Sequence, residues 1–540
     1  MTTDAPVTGA PVTDVLIVGA GPTGLTLACD LARRGIGVRI IDRSAAHPRS
    51  SRAKGPNLRS LEVLASLGAA EEVLASGSLP LTMRKYRDHV PVADFDPYAD
   101  PAPVPASAFD WPRLIAQWRL EEILRDRLAK DGVQVELGTE LVGLDQHPEG
   151  GAAGVTAALA DGRTVAARYV VGCDGAHSPV RKLLGIPFTG ETQTDQVMVC
   201  GDVEIDEDAL DRDIWHQWFD ATGAVMLCPI PGTRDGWWFQ AGPERDAAGS
   251  PQPPTEEGFR RLLTRHTGLP GAVLRRATLL STYRVNVRMA DRFRDGRVLL
   301  AGDAAHVHSI AGGMGMNTGI QDAFNLGWKL AHVLTGLAAP ALLDTYEEER
   351  LPVAAWTLEF TSERLAETMA AIRLPGGGLD SATAAGEASG LSTGYRWSSL
   401  AAGAPEHGPR AGDRAPDAPC RSVATGAPAR LHHLFAAPHP VLLGFGPESE
   451  PVLRAATEAY GDAVRVHRVY GPAEVPDGPA GVVDHEGRAR AAYEPGANGT
   501  VVVVRPDHHL GLVAPAAEAS RVREYLALLC GGAEGAASRG

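Results

Sequence analysis

Short apolar runs and helical repeats alternate along the N-terminal part of the chain. Val12–Val18 is a largely apolar run that stops at Gly19, the pattern of a buried parallel strand. Pro22–Arg34 carries apolar residues at helical spacing and stops at Gly35. Val38–Ile41 is a second β-rich run, closed by Asp42. Strand, helix and strand follow within about thirty residues, the size of a βαβ unit. Leu120–Lys130 reads as a helix, and Tyr169–Gly172 and Val298–Ala301 as short buried strands, each followed by a turn containing Asp.

The pattern changes between about Gly190 and Arg288. There β-rich pieces (Val197–Val203, Ala224–Ile230, Trp237–Ala241, Ala277–Val287) alternate with turns and predict an antiparallel sheet. Trp215, Trp218, Trp237 and Trp238 cluster in it. A long helix follows from about Gly315 to Leu337. Leu374–Leu400 is rich in Gly, Ala, Ser and Thr and reads as a loop or linker. From Gly408 to about Cys530 the pattern is that of a small α/β domain with strands at Val441–Phe445, Val464–Val469 and Thr500–Val504. The expected organisation has four parts. Residues 12–187 and 288–355 form one discontinuous nucleotide-binding domain, and 188–287 an inserted sheet domain. Residues 356–407 are a helix and linker, and 408–531 the C-terminal domain.

With 540 residues the chain is too long for one core. Its net charge of −15 argues against a nucleic-acid partner, which needs a basic face. No apolar stretch is long enough to span a membrane. Met1–Pro11 lacks the pattern of a secretory signal and reads as a frayed tail. Six cysteines are scattered, with no C-x-x-C and no zinc spacing. No metal is expected, and free thiols suit a reducing cytoplasm. Monomer and homodimer both remain open.

Gly19-Ala20-Gly21-Pro22-Thr23-Gly24 is G-x-G-x-x-G, placed after a strand and opening a helix. Gly19 permits the tight turn, Gly21 lets the backbone approach a pyrophosphate, and Gly24 lets helix and strand pack closely. The helix N-terminus offers free N–H groups to phosphate. A carboxylate at Asp42 accepts from ribose hydroxyls and repels a 2′-phosphate, which favours FAD or NAD over NADP at this site. The fingerprint leaves FAD and NAD open.

Two later motifs decide between them. One is Gly172-Cys173-Asp174-Gly175-Ala176-His177-Ser178-Pro179-Val180-Arg181. The other is Gly302-Asp303-Ala304-Ala305-His306, continuing to Gly312-Gly313-Met314-Gly315-Met316-Asn317-Thr318-Gly319. With the fingerprint, in this order, they resemble the class A FAD-dependent aromatic monooxygenases, the para-hydroxybenzoate hydroxylase-like group that includes phenol and aromatic polyketide hydroxylases. The resemblance implies an α/β (α+β) fold: a Rossmann-like FAD-binding domain, an inserted antiparallel substrate sheet and a thioredoxin-like C-terminal domain. The last rests on Gly412-Asp413-Arg414-Ala415-Pro416 and Val502-Val503-Val504-Arg505-Pro506-Asp507; without C-x-x-C it serves packing, stability or dimer contacts rather than thiol chemistry.

By the same resemblance Asp303 holds the ribityl chain. Gly312, Gly313 and Gly315 let the backbone approach a planar ring, the N–H groups near Gly315, Met316 and Asn317 precede a helix and would stabilise negative charge on the pyrimidine side of a reduced flavin, and Asp174 serves FAD and the nicotinamide. Arg52 lies near the pyrophosphate or flavin edge, and Gln117 binds flavin at a helix start. Arg181 is open between a solvated, an ion-paired and a cofactor-binding role. NADPH or NADH acts as a transient reductant without a Rossmann domain of its own. Reduced FAD would react with O₂ to a flavin C4a-(hydro)peroxide, whose distal oxygen would pass to an aromatic ring, that of a polycyclic polyketide on this reading. A Baeyer–Villiger oxygenase, a simple phenol hydroxylase, a flavin halogenase or reductase, and a non-enzymatic flavin-bound regulatory or assembly protein are the alternatives. The W-x-W-x-I-P of flavin halogenases is absent. The family's Pro in the third motif is replaced near Ile310 and its Gln by Met314, which leaves the peroxide geometry open. His216, Tyr283, His306 and His308 are candidate bases, and the four tryptophans candidate walls of the substrate pocket.

Overall fold

The computed structural model describes residues 12–96, 107–146, 154–220, 223–309, 311–372, 385–403, 405, 407–476 and 481–531. Met1–Pro11, read above as a tail, and Ile310 lie outside them.

Continuous apolar runs give strands with two covered faces. Thr13–Val18 pairs in parallel with Val38–Ile41 on one side and Thr164–Gly172 on the other. Val298–Leu300 pairs in parallel with Thr164–Gly172. These are the centre of an eight-stranded sheet. Leu16, Ile17, Ile40, Val170, Val171 and Leu299 are fully buried in it. The Pro22–Ala32 helix covers it, packed against the long Gly315–Leu334 helix. At their crossing, a Cβ on Gly319 would lie 2.3 Å from Thr23 Oγ1, so only glycine allows this approach.

The expected antiparallel sheet is present and larger than expected. It has nine strands, including Phe188–Ile205, Ile214–Asp220, Gly223–Pro229, Gly236–Ala241 and Ser281–Ala290. Thr82–Arg87 and Val90–Phe95, from the segment assigned to the nucleotide-binding domain, extend it past Ile214–Asp220. Their charges conceal them: Arg84, Lys85 and Arg87 leave no apolar alternation to read. The Glu256–Thr267 helix covers the back of this sheet through Phe259, Leu262 and Leu263.

The Leu374–Leu400 segment is not a free linker over its described part. Leu391, Tyr395, Ser398 and Leu400 are buried. Tyr395 OH accepts from Arg350 Nη1 at 3.0 Å and Ser398 Oγ donates to Glu349 Oε1 at 2.7 Å. Both partners lie on the Asp344–Ile372 helix, which starts earlier than the sequence suggested. C-terminal to it, a seven-stranded mixed sheet contains Val441–Phe445, Arg465–Tyr470 and Thr500–Val504. It is tied to the first part by buried charges: Arg505 to Glu349, whose carboxylate also holds Lys329 at 2.7 Å within the first part, and Arg414 to Glu62 at 3.1 Å.

Candidate active site

All three motifs emerge at the carboxyl ends of adjacent parallel strands. Residues 19–24 follow Thr13–Val18, 173–178 follow Thr164–Gly172, and 302–306 follow Val298–Leu300. Parallel α/β sheets bind ligands at that edge. Gly19 has φ +103°, and a Cβ there would sit 2.4 Å from the Cys173 carbonyl oxygen, so the first turn is pressed against the second motif. A Cβ on Gly21 would meet nothing within 4 Å. Gly21 is also the N-cap of its helix, with no side-chain cap and no acidic residue in the first turn. Free N–H groups facing open space suit a pyrophosphate. Asp42 accepts from Ala20 N and Ser44 N at 2.8 Å each, which aims its carboxylate at the same loop and leaves lone pairs for hydroxyls.

Asp174 and Arg181 brace this edge. Asp174 Oδ2 accepts from Val180 N at 3.0 Å while its Oδ1 is buried without a partner, and burial raises its pKa. Ser178 caps the next helix by accepting from Arg181 N. Arg181 is buried rather than solvated and makes no ion pair within 4 Å among the described residues. It donates to the Ala304 and Ala176 carbonyls at 2.7 and 2.9 Å and lies 3.8 Å over the Phe188 ring, locking the second motif to the third.

Asp303 is exposed between buried Gly302 and Ala304. Protein around it raises its pKa, opposed by the charges of His306 and Arg52. Arg52 is exposed, and its positive charge acts on Asp303 to lower its pKa. Gln117 acts one step behind: its Oε1 accepts from Arg52 N and Ala53 N at 3.2 Å and its Nε2 donates to Glu121. Burial pushes Glu121 up to about 7. The Gly315–Leu334 helix begins without a side-chain cap, with Gly313 in the left-handed region and open space beside it. Met316 packs on the main core. Asn317 accepts from Asn57 N at 2.9 Å and donates to Gly313 O at 2.9 Å, so it fixes both the glycine turn and the 52–57 loop. Asn57 and Lys54 on that loop were not singled out from sequence; Asn57 is locally only a helix cap, accepting from Ser60 N at 2.9 Å, and nothing local marks Lys54.

The candidate bases separate. His306 is buried and bound through Nε2 to Asp322 at 2.7 Å, in a network with Arg350. His308 donates through Nδ1 to Ser309 O at 2.9 Å, and its buried Nε2 has no partner among the described residues; burial holds its pKa down at about 4, hence neutral. Tyr283 OH donates to His308 O at 3.2 Å, which brings these two together. His216 does not join them. It lies on the back of the sheet, bonded to Tyr86 OH and Asp211 O at 2.8 Å each, and stacked on Trp218.

The tryptophans need the same correction. Successive strand residues point to opposite faces. Trp218 and Trp237 therefore face the covering helix in the core with Phe259 and Leu263. Trp215 and Trp238 face the other way, against Ala116 and Leu114 of the nucleotide-binding part, beside Lys54. Of the four, only Trp215 and Trp238 lie on the face turned toward the nucleotide-binding part.

Two families match the chain: the FAD binding domain over residues 12–361 and the aromatic-ring hydroxylase C-terminal domain over residues 408–533. The chain belongs to the class A FAD-dependent aromatic monooxygenases. This monooxygenase is similar to a flavin-dependent monooxygenase of Mycobacteroides abscessus, 39% identical over 81% of this chain and 90% of the relative. It is 34% identical to pentachlorophenol 4-monooxygenase of Sphingobium chlorophenolicum over 92% and 93% of the two chains. Among solved structures, a ternary complex of aklavinone-11 hydroxylase with FAD and aklavinone superposes at a TM-score of 0.80, with 28% identity, covering 97% of this chain and 100% of that one. FAD is the monooxygenase's cofactor and NAD(P)H its reductant; the open, uncapped edge described above fits the flavin nucleotide. No helix among the described residues is long and apolar enough to cross a membrane.

Proposed function

We propose that this monooxygenase adds one oxygen atom to an electron-rich ring of a multi-ring aromatic substrate. The observation that carries this is the sheet face turned toward the three-motif edge. Trp215 and Trp238 offer flat apolar area, and the indole N–H of each is buried without a partner, as are both amide atoms of Gln217. A broad aromatic wall with unspent polar groups suits a large, oxygenated aromatic ligand. The relative solved with aklavinone agrees with that reading, and the pentachlorophenol relative supports a single-ring phenol as the second one.

Bound FAD supplies the electron transfer and oxygen activation. The chain's own groups do the rest. The Gly19–Gly24 turn and its helix would hold the pyrophosphate, with Asp42 on a ribose and Asp303 on the ribityl hydroxyls. The start of the Gly315–Leu334 helix would stabilise negative charge at the pyrimidine edge. Neutral His308, with Nε2 free, would accept a proton-bearing group there, positioned by Tyr283. The reading places residues 12–187 and 288–355 in FAD binding and 188–287 in substrate binding, with Thr82–Phe95 added to the latter. A cytoplasmic setting is proposed from the free thiols.

The test is stopped-flow reduction of the FAD enzyme by NADPH and NADH with one-ring and four-ring phenols. Faster reduction with four-ring phenols supports the proposal. Stimulation by one-ring phenols alone moves the enzyme to the second reading, and equal rates across the panel contradict both.

A further inference from the structure

Lys54 lies where the 52–57 loop meets the substrate-facing side of the sheet, and its charge is not neutralised. Its ammonium donates to the Gln240 amide oxygen at 3.0 Å and stands 5.4 and 5.7 Å from the ring centroids of Trp215 and Trp238. No carboxylate among the described residues lies within ion-pair distance of it. Burial lowers its pKa, and of its titratable neighbours only Asp202 offers a negative charge, the Cys228 and Cys200 thiols being raised by burial. Asp202 spends one oxygen on Ser51 N at 3.0 Å and leaves the other buried and unpartnered. An ammonium has three donors, and among the described residues only one is used on a side chain here. Lys54 is half-buried, and a charge drawn out of water without an ionic partner is costly unless a ligand completes it.

The surroundings say which ligand. Gln217, fully buried, and Trp238, 3% exposed, sit on the same sheet face with unpartnered N–H groups, and Trp215 adds a third. The set is rich in donors and carries one positive charge between two aromatic planes. The adjacent Gly55 carbonyl is bonded by Asn317 Nδ2 at 3.4 Å, so the loop that carries Lys54 is tied to the start of the helix at the flavin edge.

We propose that Lys54, framed by Trp215, Trp238, Gln217 and Gln240, binds an ionised oxygen of the substrate, a phenolate or enolate on the edge of an aromatic ring system, and so fixes which ring carbon faces the flavin. Lys54 is thus a substrate-binding and specificity-determining residue. This rests on the aromatic multi-ring reading above. The indoles receive the ring plane and stabilise the ammonium by cation–π attraction, while the charge selects the ionised form.

The probes are alizarin, which ionises with a colour change, and its 2-O-methyl ether, which cannot ionise at that oxygen. Binding of each to the FAD-loaded enzyme is followed at about pH 6 by visible absorption and flavin fluorescence, in wild type, K54M and K54R. Wild type is expected to hold alizarin with the spectrum of its anion. K54M should lose roughly tenfold or more in alizarin affinity, the scale of a charge-assisted hydrogen bond, and less than about twofold for the ether. K54R should recover much of the loss. Equal FAD content in the three proteins shows that the fold is kept. If K54M binds alizarin as tightly and with the same spectrum as wild type, Lys54 only staples the loop to Gln240 and the proposal is overturned while the multi-ring reading stands. If neither compound perturbs wild type, both fall together.

Discussion

Asp322→Asn should damage the enzyme more than any change to an exposed carboxylate. Asp322 is fully buried on the Gly315–Leu334 helix and accepts from three donors: Arg350 Nε at 2.6 Å, His306 Nε2 at 2.7 Å and Gly302 N at 2.9 Å. Burial alone would raise its pKa; the charges of Arg350 and His306 outweigh that and hold it at about 2. An Asn has one acceptor oxygen. Either rotamer turns its NH₂ toward Arg350 or toward His306 and Gly302, a donor facing a donor. Arg350, also fully buried, keeps only Tyr395 OH and the Thr318 carbonyl. Removing one partner of such a pair costs about 3–5 kcal/mol, most of it from the uncompensated charge left behind. Gly302 leads directly into Asp303, so FAD affinity should fall with stability.

The assay is urea unfolding of the FAD enzyme followed by flavin fluorescence, with a parallel FAD titration. The double variant D322N/R350M removes the stranded cation and should recover part of the loss. In wild type the contribution of Asp322 is present above the ordinary carboxylate pKa and is lost as pH falls toward about 2. A D322N protein within about 1 kcal/mol of wild type, or a double variant no better than the single one, would refute the reasoning.

Three further outcomes are expected. Asp303→Ala should weaken FAD by about 1.5–3 kcal/mol, the range for a hydrogen bond to a charged group, while urea stability of the FAD-free protein stays near wild type; unchanged FAD affinity in a titration would show that Asp303 is not a flavin ligand. Glu121, pushed up to about 7, binds a proton in the folded protein that the unfolded chain releases at its ordinary value of 4.5. Wild type should therefore lose stability relative to E121Q as pH rises from about 5 to about 7, and parallel urea midpoints across that window would contradict the assignment. Cys420 and Cys530 are buried with thiols pushed up to about 12, so changing both to Ser should leave turnover per bound FAD unchanged; a loss of turnover in folded protein would implicate a thiol.

The nucleotide-binding edge could be read from sequence because each motif is local. A strand, a glycine turn and an acidic residue occupy consecutive positions, and the structure sets Gly19, Asp174 and Asp303 at neighbouring strand ends. The substrate side was only partly legible. Strand parity already separates Trp237 from Trp238, and Trp215 from Trp218, into opposite faces; treating the four as one surface ignored that period. His216 follows the same parity, on the face of Trp218. What no local pattern contains is pairing across the chain. Asp322 meets Arg350 and Gly302 from separate elements, Asn317 meets Asn57, and Lys54 meets Gln240. Gln117 was legible only by position; that its carbonyl holds the backbone of Arg52 and Ala53 is long-range and leaves no local mark. Thr82–Arg87 escaped because its charged side chains hide a strand that the parallel partner Ile214–Asp220 stabilises.

The central claim is that this chain, loaded with FAD and supplied with NAD(P)H, transfers one atom of O₂ to an aromatic ring. The direct measurement is turnover of a multi-ring phenol under ¹⁸O₂, with mass spectrometry of the product and parallel quantification of hydrogen peroxide. The account predicts a product heavier by one ¹⁸O atom, formed in step with NAD(P)H consumption. NAD(P)H oxidation that yields only hydrogen peroxide across one-ring and multi-ring phenols, or a product whose added oxygen comes from water, would contradict it.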